Sequence, residues 1–176
     1  MTKNESESLR LTPSEMQIIY KLVKKYEEHT PNNDEEDDNS YDGEYETSID
    51  KKQIKSILNK ISNSMPNEAK DEIDKEFLRK KYHSYNNDID SRVYTTLKKA
   101  FEHSKTVEIE YFNMESAEFK KRKLDVYYTS AKYTIGYCHL RKEIRKFRTS
   151  RISSAKIINS KYKIPKSFDK NDYWQI

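Results

Sequence analysis

The chain has 176 residues, of which 34% are apolar and 36% are charged, so it can build only a small core beneath a heavily charged surface. With one cysteine, Cys138, and only two glycines, it excludes an intrachain disulfide, a cysteine metal cluster and a glycine-rich phosphate loop. No apolar run approaches the roughly 20 residues that a membrane helix needs, and the first residues lack the apolar stretch of a secretory signal. These features lead us to expect a cytoplasmic protein with no membrane partner.

The net charge of +4 conceals a division. Residues 1–90 hold 14 basic and 21 acidic side chains, whereas residues 91–176 hold 20 and 9. The second half is therefore suited to polyanions, and the first half carries the opposite sign. Simple attraction between the halves is the plainer reading of the same pattern.

In chain order, Thr12-Pro13-Ser14-Glu15 reads as a capping box with proline at the first helical position. Met16, Ile19, Tyr20, Val23 and Tyr26 follow at helical spacing and predict a helix over 13–28. Residues 31–47 hold Asp34-Glu35-Glu36-Asp37-Asp38 and read as a flexible acidic loop, whose spacing does not match a calcium-binding loop. Ile54, Ile57, Leu58 and Ile61 predict a helix over 49–65, ended by Pro66. A shorter helix is expected over 70–82, with Ile73 and Phe77 on one side. Ser91 is expected to cap a last helix through Phe101, with Val93, Leu97, Ala100 and Phe101 inward. The exposed stripes of the first two helices suit either a homodimer contact or packing within the chain. His83 and His103 show no ligand spacing, and no metal or cofactor is expected.

From Thr106 the period changes to two. Val107, Ile109 and Tyr111 alternate with charged residues. Leu124, Val126 and Tyr128 alternate next, followed by Tyr133, Ile135 and Tyr137. Further runs span 144–149 and 155–158. Five short runs at roughly ten-residue spacing predict an antiparallel sheet closed into a small barrel. Gly136 within such a run marks a bulge or a close backbone approach. The fold class expected is α+β, with an acidic helical region over 1–100 and a β domain over 101–176.

The segment richest in chemistry runs from Tyr133 to Ile152, two strands joined by a basic turn. Alternation places Arg145, Phe147 and Thr149 on one face and Lys146 and Arg148 on the other. Arg141 lies at the turn, and Arg151 just past the second strand. Arginine binds phosphate oxygens through paired hydrogen bonds, and aromatic faces stack on bases. Each residue also has a plainer role. Phe147 and Tyr133 could be core, His139 could complete the turn, and Glu143 could be the carboxylate that separates Arg141 from Arg145.

The order Gly136-Tyr137-Cys138-His139-Leu140-Arg141, then Arg145-x-Phe147-Arg148 and Arg151-Ile152, resembles the WYL domain. Ile109-Glu110-Tyr111, Arg122-x-Leu124 and the ending from Tyr162 to Phe168 add to the likeness. The triplet that names the family is Lys132-Tyr133-Thr134 here, and the helical half has no recognisable winged helix-turn-helix. The resemblance implies an Sm-like or SH3-like barrel that senses a ligand, with nucleotides and single-stranded nucleic acids as the leading class. It implies regulatory work in transcription, DNA-damage response or phage defence, including accessory roles beside RNA-targeting CRISPR effectors. By position it carries ligand binding to Tyr133, His139, Arg141, Arg145, Phe147, Arg148 and Arg151.

No catalytic set is legible. Cys138 and His139 are adjacent in a strand and face opposite sides, and a metal-independent nuclease using His139 with arginines has little to recommend it. The chain is expected not to be an enzyme. The rival to a nucleic-acid-binding regulator is an adaptor whose basic barrel docks on an acidic protein surface.

Overall fold

The computed structural model describes residues 10–29, 49–83 and 89–173. The predicted acidic loop lies outside these residues. The described elements are helices α1 (Pro13–His29), α2 (Lys51–Asn63), α3 (Asn67–His83) and α4 (Ser91–Glu102), then strands β1 (Lys105–Asn113), β2 (Glu118–Thr129), β3 (Tyr133–Cys138), β4 (Glu143–Arg148) and β5 (Ile152–Lys161). Short 3-10 turns cover Thr149–Arg151 and Lys170–Tyr173. The chain divides into two compact units within α3, after Asp74.

In the first unit, the capping box opens α1 as expected. Thr12 N–H donates to the Glu15 carboxylate at 2.7 Å, and Glu15 N–H donates to Thr12 Oγ1 at 3.3 Å. The Thr12 N–H and hydroxyl, both donating to the Glu15 carboxylate, hold that carboxyl below its ordinary pKa. Asp50 caps α2 in the same reciprocal way with Gln53. Tyr20, Ile54, Met65 and Ile73 form the buried interior. The Tyr20 hydroxyl donates to Asp74 at 3.0 Å, and Lys24 pairs with the same carboxylate. Burial, then that carboxylate, pushes the Tyr20 phenol well above its usual pKa. Tyr26 and Ile57 of the predicted stripes are exposed, as are Ile18 and Leu22 of α1.

The second unit is built on the sheet, with hydrogen-bonded order β4-β3-β2-β1-β5 and every neighbouring pair antiparallel. No ladder joins β4 to β5, so the sheet is open where the sequence led us to expect closure. It is nevertheless curled. Phe147 of β4 and Ile152 at the start of β5 share one core with Val107, Ile109, Leu124, Val126 and Cys138. Tyr111 of β1 meets Phe147 edge-on at 5.0 Å, although β1 and β4 are not neighbours in the ladder. Val93, Leu97 and Ala100 of α4 close the same core. Helix α4 therefore belongs with the sheet, and a division near residue 100 would separate it from its own interior. Asp90 caps α4 by accepting from Arg92 and Val93 N–H. The expected cap, Ser91, is the first helical residue, one place after the carboxylate that accepts these bonds. Phe101, expected inward, lies at the surface.

Strand β2 departs from simple alternation. Leu124, Asp125, Val126 and Tyr127 are consecutively buried, and the register with β3 shifts between Val126 and Tyr128. Both faces are covered at this point. Leu124 and Val126 face the core, while Tyr127 packs beneath Tyr162 at 5.8 Å and Phe168 at 5.2 Å. The Tyr162 hydroxyl donates to the Val126 carbonyl, and burial raises its phenol pKa. Gly136 is opposite Val126. A Cβ there would lie 2.2 Å from the Asp125 carbonyl oxygen, so the glycine permits the close approach that the sequence predicted.

The second half of α3 is held against the sheet. Tyr82 stacks on Phe112 at 4.5 Å and meets Phe119 edge-on at 5.6 Å. Arg79 Nε and Nη2 donate to the carbonyls of Met114 and Glu115, both at 3.3 Å. In return, Arg151 Nε donates to the Tyr82 carbonyl at 3.2 Å, and Arg148 Nη1 to the His83 carbonyl at 3.1 Å. These two cations satisfy carbonyls at a helix C-terminus, where the dipole favours positive charge.

Candidate ligand-binding site

The site lies where the inner face of the curl meets the β3–β4 turn. In the antiparallel ladder, Phe147 is opposite Thr134 and Arg145 opposite Gly136. Paired residues share a face, so Arg145 and Phe147 look inward together, as alternation predicted. On β2, Arg122 is two residues from the core residue Leu124 and shares its face. On β1, Tyr111 shares a face with Ile109 in the same way. The turn that brings Arg141 over them is closed by Arg141 N–H and Lys142 N–H donating to the Cys138 carbonyl at 3.1 and 2.7 Å. Lys142 takes the left-handed conformation, with φ of 57°.

The result is a recess of about 230 Å³ lined by Tyr111, Asn113, Glu115, Arg122, Arg141, Arg145, Lys146 and Phe147. Phe147 is 3% exposed and belongs to its floor. Cations outnumber carboxylates. Arg145 reaches Glu143 at 3.4 Å with both side chains about half exposed, a pair that contributes little. Glu143 is thus the carboxylate beside Arg145 that the sequence analysis weighed.

Arg122 sets the chemistry. Its Nε and Nη1 are buried and have no hydrogen-bond partner. A guanidinium cannot shed its proton, and leaving its donors unsatisfied away from water costs several kcal/mol. An anion entering the recess would supply the missing acceptors.

The remaining sequence-predicted residues lie elsewhere. Tyr133 is opposite Arg148, on the outer face, with the ammonium groups of Lys146 and Lys132 at 4.8 and 5.4 Å from its ring. His139 Nε2 lies 2.9 Å from Asp125 Oδ1, which also accepts from Thr106 Oγ1 at 2.6 Å. His139 lines a second depression with Glu108, Lys121, Lys123, Leu140 and Arg122, so that Arg122 borders both. Arg148 and Arg151 hold the end of α3. The structure therefore brings together Arg141, Arg145 and Phe147 and adds Arg122 and Tyr111. The signal for Arg122 was its parity with Leu124, masked by the surrounding run Lys120-Lys121-Arg122-Lys123, which reads as solvated surface.

A family model for the WYL domain matches residues 92–157. The chain contains a WYL domain. The match begins in α4 and ends in β5, the part of the chain that shares one core, and it includes every residue lining the recess. WYL domains are regulatory, ligand-sensing modules. A comparison with curated proteins finds no match. Among solved structures, the chain is similar to "Proteasome accessory factor B/C (PafBC) of Arthrobacter aurescens", with 16% identity and a TM-score of 0.36. That alignment covers 87% of this chain and 21% of the other, so the chain spans about a fifth of that relative's length. No helix among the described residues is long and apolar enough to cross a membrane. Among the described residues, no group of three or more His, Cys, Asp or Glu could hold a metal.

Proposed function

We propose that the chain is a regulatory module, without enzymatic activity, that senses a nucleotide or single-stranded nucleic acid through the Arg122, Arg141 and Arg145 recess of its WYL domain. The observation that carries this reading is the buried, unpartnered Nε and Nη1 of Arg122 among other cations. Phosphate oxygens are the acceptors that such a group pairs with best. The excess of 20 basic over 9 acidic side chains in residues 91–176 would draw a polyanion toward the recess. Roles in transcription regulation or phage defence fit a sensor of this kind. The curled sheet, with its two edge strands sharing one core, supports reading it as an open form of the Sm-like or SH3-like barrel.

Fluorescence polarisation of the whole chain with single-stranded DNA, single-stranded RNA and duplex DNA across a salt series tests the proposal. We expect single strands to bind best and binding to weaken steeply with salt as counterions are released. Absence of binding to all three at low salt would defeat oligonucleotide recognition. The basic surface would then be read as a dock for an acidic protein.

A further inference from the structure

We propose that the recess takes a terminal phosphate, a phosphomonoester, in preference to an internal phosphodiester. This rests on the ligand-binding reading above and names the chemical group that the site selects. Four cations, Arg122, Arg141, Arg145 and Lys146, and one carboxylate, Glu115, line one small recess, and the Glu143 carboxylate paired with Arg145 is half exposed. A phosphodiester brings one negative charge. A phosphomonoester brings nearly two at neutral pH, with three strong acceptor oxygens. Only the second comes close to balancing the cations while giving Arg122 Nε and Nη1 the acceptors they lack.

Size and wall chemistry point the same way. The recess, at about 230 Å³, falls below the roughly 300 Å³ at which pockets for drug-sized ligands begin. Phe147 offers no open face for stacking, because it is 3% exposed and packs at right angles to the half-buried Tyr111 ring. The recess thus admits a phosphate and leaves the base outside. Binding at this site should therefore depend on the chain end and not on the identity of the terminal base.

The test uses the full chain and short oligothymidylates bearing a 5′-phosphate, a 3′-phosphate or only hydroxyl ends, each labelled away from the end compared. We expect one phosphorylated strand to bind about tenfold or more tightly than the hydroxyl strand, the worth of one added charge-assisted hydrogen bond. The end that gains identifies the source, and thymidine monophosphate should compete where thymidine does not. Equal binding of all three strands would overturn the terminal-phosphate inference and leave single-strand sensing standing. No binding of any strand would overturn both.

Arg122→Met supplies an independent readout. It replaces a half-buried cation, whose Nε and Nη1 have no partner to lose, with an apolar chain of similar length. We expect the ligand-free variant to melt no lower than the wild type and to lose the preference for the phosphorylated strand. Should the methionine variant fold poorly, Arg122→Lys keeps the charge without the planar donors and should lose most of the preference. Retention of the preference by a folded Arg122 variant would overturn the assignment.

Discussion

Gly136 and Asp125 show how tightly single residues are constrained around the β2 bulge. The Cβ of an alanine at 136 would fall 2.2 Å from a backbone oxygen of β2, and backbone cannot rotate away as a flexible side chain can. Gly136→Ala should therefore destabilise the fold by about 1–3 kcal/mol, the usual cost of overpacking. Urea melts of the two proteins measure this directly, and an unchanged midpoint would mean that the strands are not held so closely. Asp125, 8% exposed, accepts from Thr106 at 2.6 Å and lies 2.9 Å from His139 Nε2. Asp125→Ala leaves the buried Thr106 hydroxyl without its acceptor and should cost about 1–3 kcal/mol. The His139→Gln change, at a side chain 42% exposed, should cost much less. Comparable losses from the two would show that the histidine contact, rather than the buried hydroxyl, carries the network.

At the scale of elements, the end of α3 is the place where charge does structural work. Arg148 and Arg151 donate to its final described carbonyls, and Arg79 donates back to the β1–β2 turn. Replacing both Arg148 and Arg151 with alanine should free those carbonyls, so that amides over 79–83 exchange faster with solvent while α4 keeps its protection. Unchanged exchange would mean that the Tyr82, Phe112 and Phe119 rings suffice to hold the helix. Ser104, just past α4, has φ of 49°, a left-handed conformation that favours glycine. Ser104→Gly should accordingly raise stability by roughly 1 kcal/mol, read as a higher melting temperature.

These elements also show what the sequence could reveal. Helical spacing, with the Thr12 box for α1 and Pro66 after α2, suffices to place these two helices, and the change of period at Thr106 marks the start of the sheet. Alternation put Arg145 and Phe147 on one face. It could not show that Arg148 and Arg151 are spent on helix carbonyls, because that contact joins positions more than 60 residues apart. Nor could it show that Tyr127 is covered, since Tyr162 and Phe168 return to it from beyond β5. Arg122 was hidden by its neighbours: four consecutive basic residues look alike in sequence, and only the ladder turns one of them inward.

For the molecule as a whole, the proposed function requires that the WYL domain present its net positive charge to ligands through one recess rather than over a diffuse surface. The two possibilities differ in how affinity responds to a pair of substitutions. A diffuse surface with 20 basic side chains in residues 91–176 would lose little when two are removed. A single recess would lose most of its affinity, because Arg141 and Arg145 form its rim and are exposed, so their removal should leave the fold intact. The decisive measurement is single-strand binding by the Arg141→Ala/Arg145→Ala double variant, followed by fluorescence polarisation at constant salt, with circular dichroism as the folding control. We predict at least about a tenfold loss of affinity, the equivalent of roughly 1.4 kcal/mol, with an unchanged spectrum. Binding equal to that of the wild type by a folded double variant would contradict the account and return the recess to ordinary charged surface.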